Sequence, residues 1–246
     1  MIIKNPTMGD IPALRGLWKE AFSDTDDFLD SFFALAFSPE RALIACEGEK
    51  IFAALYWLNC AWEEKTVAYV YAVATDKKHR GKGICKALMA ELHNRVDRTV
   101  LVPADDGLRA FYGRLGYRDF GGMEEILCFS DETTVVIEKL TAKTYAKKRR
   151  MLLPAGSILQ EGVFLPILEE MLVFYGGEGW LLAGTVQDEK FLGVEFLGDK
   201  ALLPGILGSL GCTEAKVRCP GNAPFAMYWE AYGANSLPGY FAFALD

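Results

Sequence analysis

The stretch that most constrains this chain is residues 66–88. Residues 66–75 are apolar and uncharged and run straight into Asp76-Lys77-Lys78-His79-Arg80-Gly81-Lys82-Gly83, followed by Ile84-Cys85-Lys86-Ala87-Leu88. A long uncharged run bounded by polar residues predicts a strand covered on both faces, and therefore a central one. Ile84, Leu88 and Leu92 recur at helical spacing, so a helix follows. The glycines permit a tight loop whose backbone N–H groups point inward, and the helix N-terminus adds its own unpaired donors and positive dipole end. With Lys78, Arg80 and Lys82 beside it, the loop is a ready anion site suited to a pyrophosphate. Neither GxGxxG nor GxxxxGK[ST] occurs here, which removes the two commonest nucleotide fingerprints. Taken without its context, the motif also fits a plain glycine turn with a solvated basic edge.

The flanking residues supply that context. Ile2-Ile3 opens a short strand. The polar residues 7–10 start a helix whose apolar stripe is Ile11, Leu14, Leu17 and Trp18. A second helix over residues 27–37 buries Phe28, Leu29, Phe32, Phe33 and Leu35. Residues 41–46 and 51–57 read as strands joined by the hairpin turn Glu47-Gly48-Glu49-Lys50. Beyond the glycine loop, a strand over residues 99–103 leads through Ala104-Asp105-Asp106-Gly107 into the short helix Leu108-Arg109-Ala110-Phe111-Tyr112-Gly113-Arg114-Leu115-Gly116-Tyr117. The fold class is α/β (α+β), a mixed central sheet flanked by helices.

Composition bounds the function. At 246 residues and 51% hydrophobic, the chain suits one large domain or two small ones. Its 33 acidic against 26 basic side chains argue against nucleic acid as the main partner, since phosphate binding needs concentrated Lys and Arg. No apolar run approaches the roughly 20 residues that cross a bilayer, and the N-terminus lacks a signal-peptide pattern. The six cysteines are scattered, without zinc or redox spacing, and read as reduced thiols of a cytoplasmic protein. His79 and His93 lack an i, i+4 relation, so no metal site is expected and no serine-hydrolase triad can be assembled.

Strand, basic glycine loop and helix, strand, then a short helix ending in Tyr112-Gly113-Arg114-Leu115-Gly116-Tyr117 resembles the GNAT acetyltransferase superfamily over roughly residues 1–130. The family loop Arg/Gln-x-x-Gly-x-Gly/Ala is matched by Lys78-His79-Arg80-Gly81-Lys82-Gly83, with lysine at the first position. Val73-Ala74-Thr75 before the loop looks most like acetyltransferases of the enhanced-intracellular-survival type, built from tandem units. The resemblance implies acetyl-CoA as co-substrate, no metal, and direct transfer of the acetyl group to a primary amine in a ternary complex. It implies that Lys78, His79, Arg80, Gly81, Lys82, Gly83, Ile84 and Cys85 bind the cofactor, with the loop from Arg80 to Cys85 holding the pyrophosphate. Backbone groups of Val73, Ala74 and Thr75 would then grip the pantetheine and polarise the thioester carbonyl. Tyr112 matches the family tyrosine that protonates the departing thiolate, and Asp105 stands where relatives often carry asparagine. No general base is identified: Glu63 and Glu64 precede the central strand, and Tyr69 and Tyr71 lie on it. The acceptor, a small-molecule or peptide amine, and the acyl chain stay open, as does a homodimer. A non-catalytic acyl-CoA-binding sensor or scaffold is the alternative.

Residues 131–246 echo residues 1–130. A strand over 133–138 and a helix over 140–151 repeat the opening; Phe164-Leu165-Pro166-Ile167-Leu168 echoes Phe28-Leu29-Asp30-Ser31-Phe32; Glu189-Lys190-Phe191 echoes Glu49-Lys50-Ile51. Residues 217–220 followed by a helix over 225–233 would match residues 100–103 and 108–116. The offset between copies falls from 140 at Glu49/Glu189 to 117 at Pro103/Pro220, a loss of about 23 residues. Such a deletion matches residues 59–81, the central strand and most of the glycine loop. A degenerate second GNAT-like unit in tandem, without a pyrophosphate loop, is therefore expected. Met227, Tyr228, Trp229 and Tyr232 would be helix core, and Lys147-Lys148-Arg149-Arg150 a solvated helix end.

Overall fold

The computed structural model describes residues 1–232 and 236–244. Its contacts divide into two compact units, each drawn from two stretches of chain: Met1–Arg118 with Met227–Ser236, and Asp119–Ala226 with Leu237–Asp246. This differs from a division at residue 130. Strand β6 (Arg118–Phe129), which follows the first half in sequence, pairs with β11 (Glu214–Pro220) of the second unit, while residues 227–230 of β12 (Ala223–Glu230) pair with the first unit. Each unit is completed by a strand from the other half of the sequence. Nothing local in a strand specifies the edge on which it docks.

The first unit contains β1 (Ile2–Lys4), α1 (Ile11–Ala21), α2 (Asp26–Leu35), β2 (Ala42–Glu47), β3 (Lys50–Trp62), β4 (Lys65–Thr75), α3 (Ile84–His93), β5 (Arg98–Leu101) and α4 (Asp106–Gly113). Strands β1 to β5 lie in sequence order with residues 227–230 beyond β5, and only the β4–β5 pair is parallel. Helix α1 starts with a proline in its first turn, where a missing N–H costs nothing, and buries Leu14, Leu17 and Trp18. Helix α2 is capped by Thr25, which accepts from Phe28 N at 3.2 Å, and Asp26 and Asp27 complement the dipole of its first turn. One core gathers Leu43, Leu55, Leu88, Leu92, Tyr112 and Met227.

The second unit repeats this plan with β7 (Glu138–Leu140), α5 (Ala142–Leu152), α6 (Phe164–Met171), β8 (Val173–Gly177), β9 (Trp180–Gln187), β10 (Lys190–Leu197), α7 (Leu203–Leu210) and β11. Its sheet runs β7-β8-β9-β10-β11-β6, again with one parallel pair, β10–β11.

Several expectations for the second copy are corrected. Its central strand is present: β10 holds the place that β4 holds in the first unit. The turn at Asp188 and Glu189, with φ of 48° and 62°, therefore corresponds to the β3–β4 turn at Glu63 and Glu64, and not to that at Glu49. Polar hairpin turns resemble one another, so the sequence match slipped by one strand. The shortening is spread instead over β9 and β10, of 8 residues each against 13 and 11, and over a tighter connection at residues 198–202. There is also no helix between β11 and β12, where α4 would stand.

The helix expected over residues 225–233 is strand β12, and its last residue, Gly233, lies outside the described residues. Only Gly221 and Asn222 separate β11 from β12, and an aromatic run such as Phe225 to Trp229 suits a pleated surface. Met227 is nonetheless core, whereas Tyr232 is exposed. Residues 133–137 form no strand; pairing starts at Glu138. Arg149 is not solvated: it is buried against Glu195, while Lys148 and Arg150 pair at the surface with Glu138 and Glu161.

The step from β11 to β12 depends on two glycines. A Cβ on Gly122 would lie 1.8 Å from the Gly221 carbonyl oxygen, and Gly221 N donates to Gly122 O at 3.0 Å. Because the clash is with backbone, no side-chain rotation relieves it. Gly122→Ala is expected to cost at least about 3 kcal/mol in denaturant unfolding. Gly16→Ala, on an α1 face with nothing within 4 Å, should change stability by less than about 1 kcal/mol.

Candidate functional site

Strand β4 is distorted where the site is built. Its ladder with β3 pairs Tyr71 with Tyr56 and then Val73 with Leu55, leaving Ala72 as an extra residue at φ 50°. Such a bulge bends the strand, and alanine in the left-handed region stores about 1–3 kcal/mol of strain. The parallel ladder to β5 covers only Ala68/Thr99 and Tyr69/Val100. Beyond Tyr69 the two strands part, and Val73, Ala74 and Thr75 lie on the parted stretch of β4.

The loop that follows is ordered by its own side chains. Asp76 accepts from Lys78 N at 2.7 Å and lies 3.1 Å from His79 Nδ1; the His79 and Lys78 hydrogen bonds hold its carboxyl below the usual carboxylate range. His79 stacks on Phe52 at 4.7 Å, and Arg80 Nε donates to Thr75 O at 2.9 Å, tying the loop to the end of β4. Gly81 and Gly83 have φ of 73° and 75°, the left-handed region that disfavours a side chain. A Cβ at either would meet nothing within 4 Å, so the surface over both glycines is open. Gly83 immediately precedes α3, whose first-turn N–H groups lack intrahelical partners. Lys78, Arg80 and Lys82 are exposed around this opening; Ile84 is buried and Cys85 half-buried. Burial pushes the Cys85 thiol up to about 11, which keeps it neutral and unreactive.

Tyr112 projects from α4, which Asp105 caps by accepting from Leu108 N at 2.7 Å. The carboxylate at position 105 is therefore engaged in holding the helix. Burial, and next the neighbouring Cys85, push the Tyr112 hydroxyl well above its ordinary range, so it stays protonated and able to donate. The ring lies 5.6 Å from that of Tyr117. Tyr117 Oη in turn lies 2.5 Å from Thr99 Oγ1 and 3.1 Å from His93 Nε2, and the His93 ring stacks on Trp229 at 3.6 Å. The sequence reading missed this chain of polar contacts, because its members are spread over four elements.

Burial lowers the His93 pKa from 6.5 to about 4. The unfolded chain therefore binds a proton that the folded chain refuses between those values. Stability is expected to be flat in this group above pH 6.5, to fall as pH drops from 6.5 towards 4, and to level off below. His93→Gln should flatten that segment of a Tm-against-pH curve relative to the parent.

The structure does not bring Glu63 and Glu64 to the site. They sit at the opposite end of β4, and Ala72 follows Glu64 by eight residue steps, about 26 Å at 3.3 Å per step. On the α1–α2 side of the sheet, Trp18 packs against Phe32, Tyr56 and Tyr71 at 4.8, 5.1 and 5.6 Å, and its Nε1 donates to Asp24 Oδ2 at 2.7 Å. The Tyr56 hydroxyl is buried without a hydrogen-bond partner. Among the described residues, no group of His, Cys, Asp and Glu is arranged to hold a metal, and no helix is long and apolar enough to cross a membrane.

A bulged β4, strands that part beyond it, and an open left-handed glycine loop leading into a helix form a single arrangement. A family model described as an acetyltransferase (GNAT) domain matches residues 3–119, the stretch that carries all of it. Residues 3–119 are a GNAT acetyltransferase domain. Among solved structures, the chain is similar to a GCN5-related N-acetyltransferase from Kribbella flavida, with a TM-score of 0.71 and 14% identity over 93% of this chain and 71% of that one. It is also similar to a GCN5-related N-acetyltransferase from Anabaena variabilis (0.68, 12%, over 92% and 72%) and to Eis1 from Mycobacterium abscessus (0.63, 12%, over 90% and 66%). No curated protein sequence matches. At these identities the structural likeness establishes the fold. The matched residues end at Asp119, the second residue of β6.

Proposed function

We propose that the chain is an N-acetyltransferase that moves the acetyl group of acetyl-CoA directly onto a primary amine of a small-molecule or peptide acceptor. The observation that carries this reading is the parting of β4 from β5 at the Ala72 bulge, beside a glycine loop open at both left-handed positions. The residues fit the co-substrate. Gly81, Lys82, Gly83 and the first turn of α3 present N–H donors to a pyrophosphate, with Lys78 and Arg80 adding positive charge. Backbone groups of Val73, Ala74 and Thr75 would bind the pantetheine amides and polarise the carbonyl as charge develops on it. When bound, acetyl-CoA supplies the thioester, the activated acyl group of the reaction. Tyr112, held protonated by burial, donates its proton to the departing sulfur.

The second unit is read as a degenerate copy without a glycine loop, which gives one cofactor site per chain. Titration of purified protein with acetyl-CoA and with free coenzyme A tests the proposal: one site per chain is expected, and no binding at millimolar ligand would leave a scaffold role instead. Tyr112→Phe is expected to lower turnover about 100-fold while changing acetyl-CoA affinity little, and equal turnover would remove the acid role.

A further inference from the structure

We propose that the second unit carries its own binding site for a small uncharged apolar molecule, of the size and chemistry of a medium-chain alcohol. A cavity of about 330 Å³ is lined wholly by residues of that unit, at the small end of the range for ligand sites. It opens where β10 and β11 part: their parallel ladder ends at Gly193/Val217, and Val194 is the extra residue of a bulge in β10. Leu168 and Met171 of α6, with Leu172, Val194 and Phe243, make its floor apolar. The polar groups bordering that floor are satisfied within the protein. Phe243 N donates to the Gln160 side chain at 3.1 Å, and Phe243 O accepts from it at 2.5 Å. The Glu195 carboxylate, next to the bulge, is taken by Arg149 and Tyr145.

The charged side chains at the mouth are engaged as well. Lys216 Nζ lies 2.7 Å from Glu125 Oε1, and the Arg218 guanidinium lies over the Phe225 ring at 5.5 Å. A charged head entering here would give up water without gaining an unengaged counter-charge, so charge of either sign costs affinity. A phosphate-bearing ligand is disfavoured on separate grounds. The connection from β10 to α7 holds one glycine, Gly198, where a Cβ would lie 2.6 Å from Trp180 Cβ, so the surface there is not open as it is at Gly81 and Gly83. The Asp199 carboxylate already accepts from Ala201 N at 3.0 Å, an N–H that a phosphate would need. Burial of apolar surface is left as the source of affinity, about fourfold per methylene group. This site is independent of the acetyl-transfer reading, since it shares no residue with the glycine loop or Tyr112.

The test is calorimetric titration of the full chain with 1-octanol and 1-decanol, with decanoate and decylamine as charged controls. Each alcohol should bind once per chain, decanol about tenfold more tightly than octanol for its two further methylenes. Both ions should bind at least fivefold more weakly than decanol. Saturating acetyl-CoA should leave decanol affinity unchanged, and decanol should bind whether or not acetyl-CoA does. Val194→Phe, which fills the floor, should weaken decanol at least tenfold, and Leu192→Asp, which replaces an exposed apolar residue of the lining with a carboxylate, at least fivefold. Thermal unfolding is run alongside, and Leu192→Asp decides the matter if Val194→Phe fails to fold. Absence of saturable decanol binding, either ion binding as tightly as decanol, displacement by acetyl-CoA, or unchanged affinity in Leu192→Asp would each overturn the proposal.

Discussion

Gly83→Glu is expected to abolish acetyl-CoA binding, with a loss of at least 100-fold in affinity, while leaving the protein folded. Two effects act together. Gly83 holds φ of 75°, where an L side chain costs roughly 1–2 kcal/mol, so the loop would relax away from its left-handed shape. The new carboxylate would also sit at the mouth of α3, repelling a pyrophosphate and occupying the positive end of the helix dipole. The fold should survive, because a Cβ at this position meets nothing within 4 Å and the residue is exposed. Gly83→Ala separates the two effects: it carries the backbone strain without the charge and should lose about tenfold. Titration beside thermal unfolding makes the measurement. A Gly83→Glu protein that binds acetyl-CoA like the parent would remove the loop from the site.

The second large effect is on stability. Glu195→Ala is expected to destabilise the second unit by about 3–5 kcal/mol, because it leaves a buried guanidinium without its partner. Glu195 and Arg149 are essentially inaccessible, and the carboxylate accepts from Arg149 Nε at 2.6 Å, Arg149 Nη2 at 2.8 Å and Tyr145 Oη at 2.9 Å. Three hydrogen bonds of that cluster converge on one carboxylate beside the β10 bulge. Removing both charges together, as Arg149→Met with Glu195→Leu, should recover most of the loss, since a well-packed apolar pair carries no desolvation cost. Thermal unfolding of the single and double variants checks this. A single variant as stable as the parent would mean that water reaches Arg149.

The element order of the first unit was legible because each signal was local. The stripe Ile11, Leu14, Leu17 and Trp18 marks a helix by its spacing alone, and the uncharged run at residues 66–75 reads as a central strand before any contact is known. The glycine loop was legible for the same reason, since φ above zero at Gly81 and Gly83 leaves a mark in residue type. The bulge at Ala72 left none, because alanine does not announce a left-handed backbone. Arg149 shows the limit most directly. Beside Lys147, Lys148 and Arg150 it read as one of four solvated cations, yet a carboxylate 46 residues away buries it.

The sequence by itself determined the mixed α/β class, the left-handed glycine loop before α3 and the tyrosine on the short helix, all set by periodicity and backbone-specific residues within a few positions of one another. Only the tertiary structure decided that β6 and β12 are exchanged between the units, that the second copy keeps its central strand, and that β4 and β10 each bulge where the neighbouring strand departs. Those features depend on which strand edge is free to pair and on what lies across the sheet. They are set by long-range hydrogen bonding and packing, which no window of residues contains.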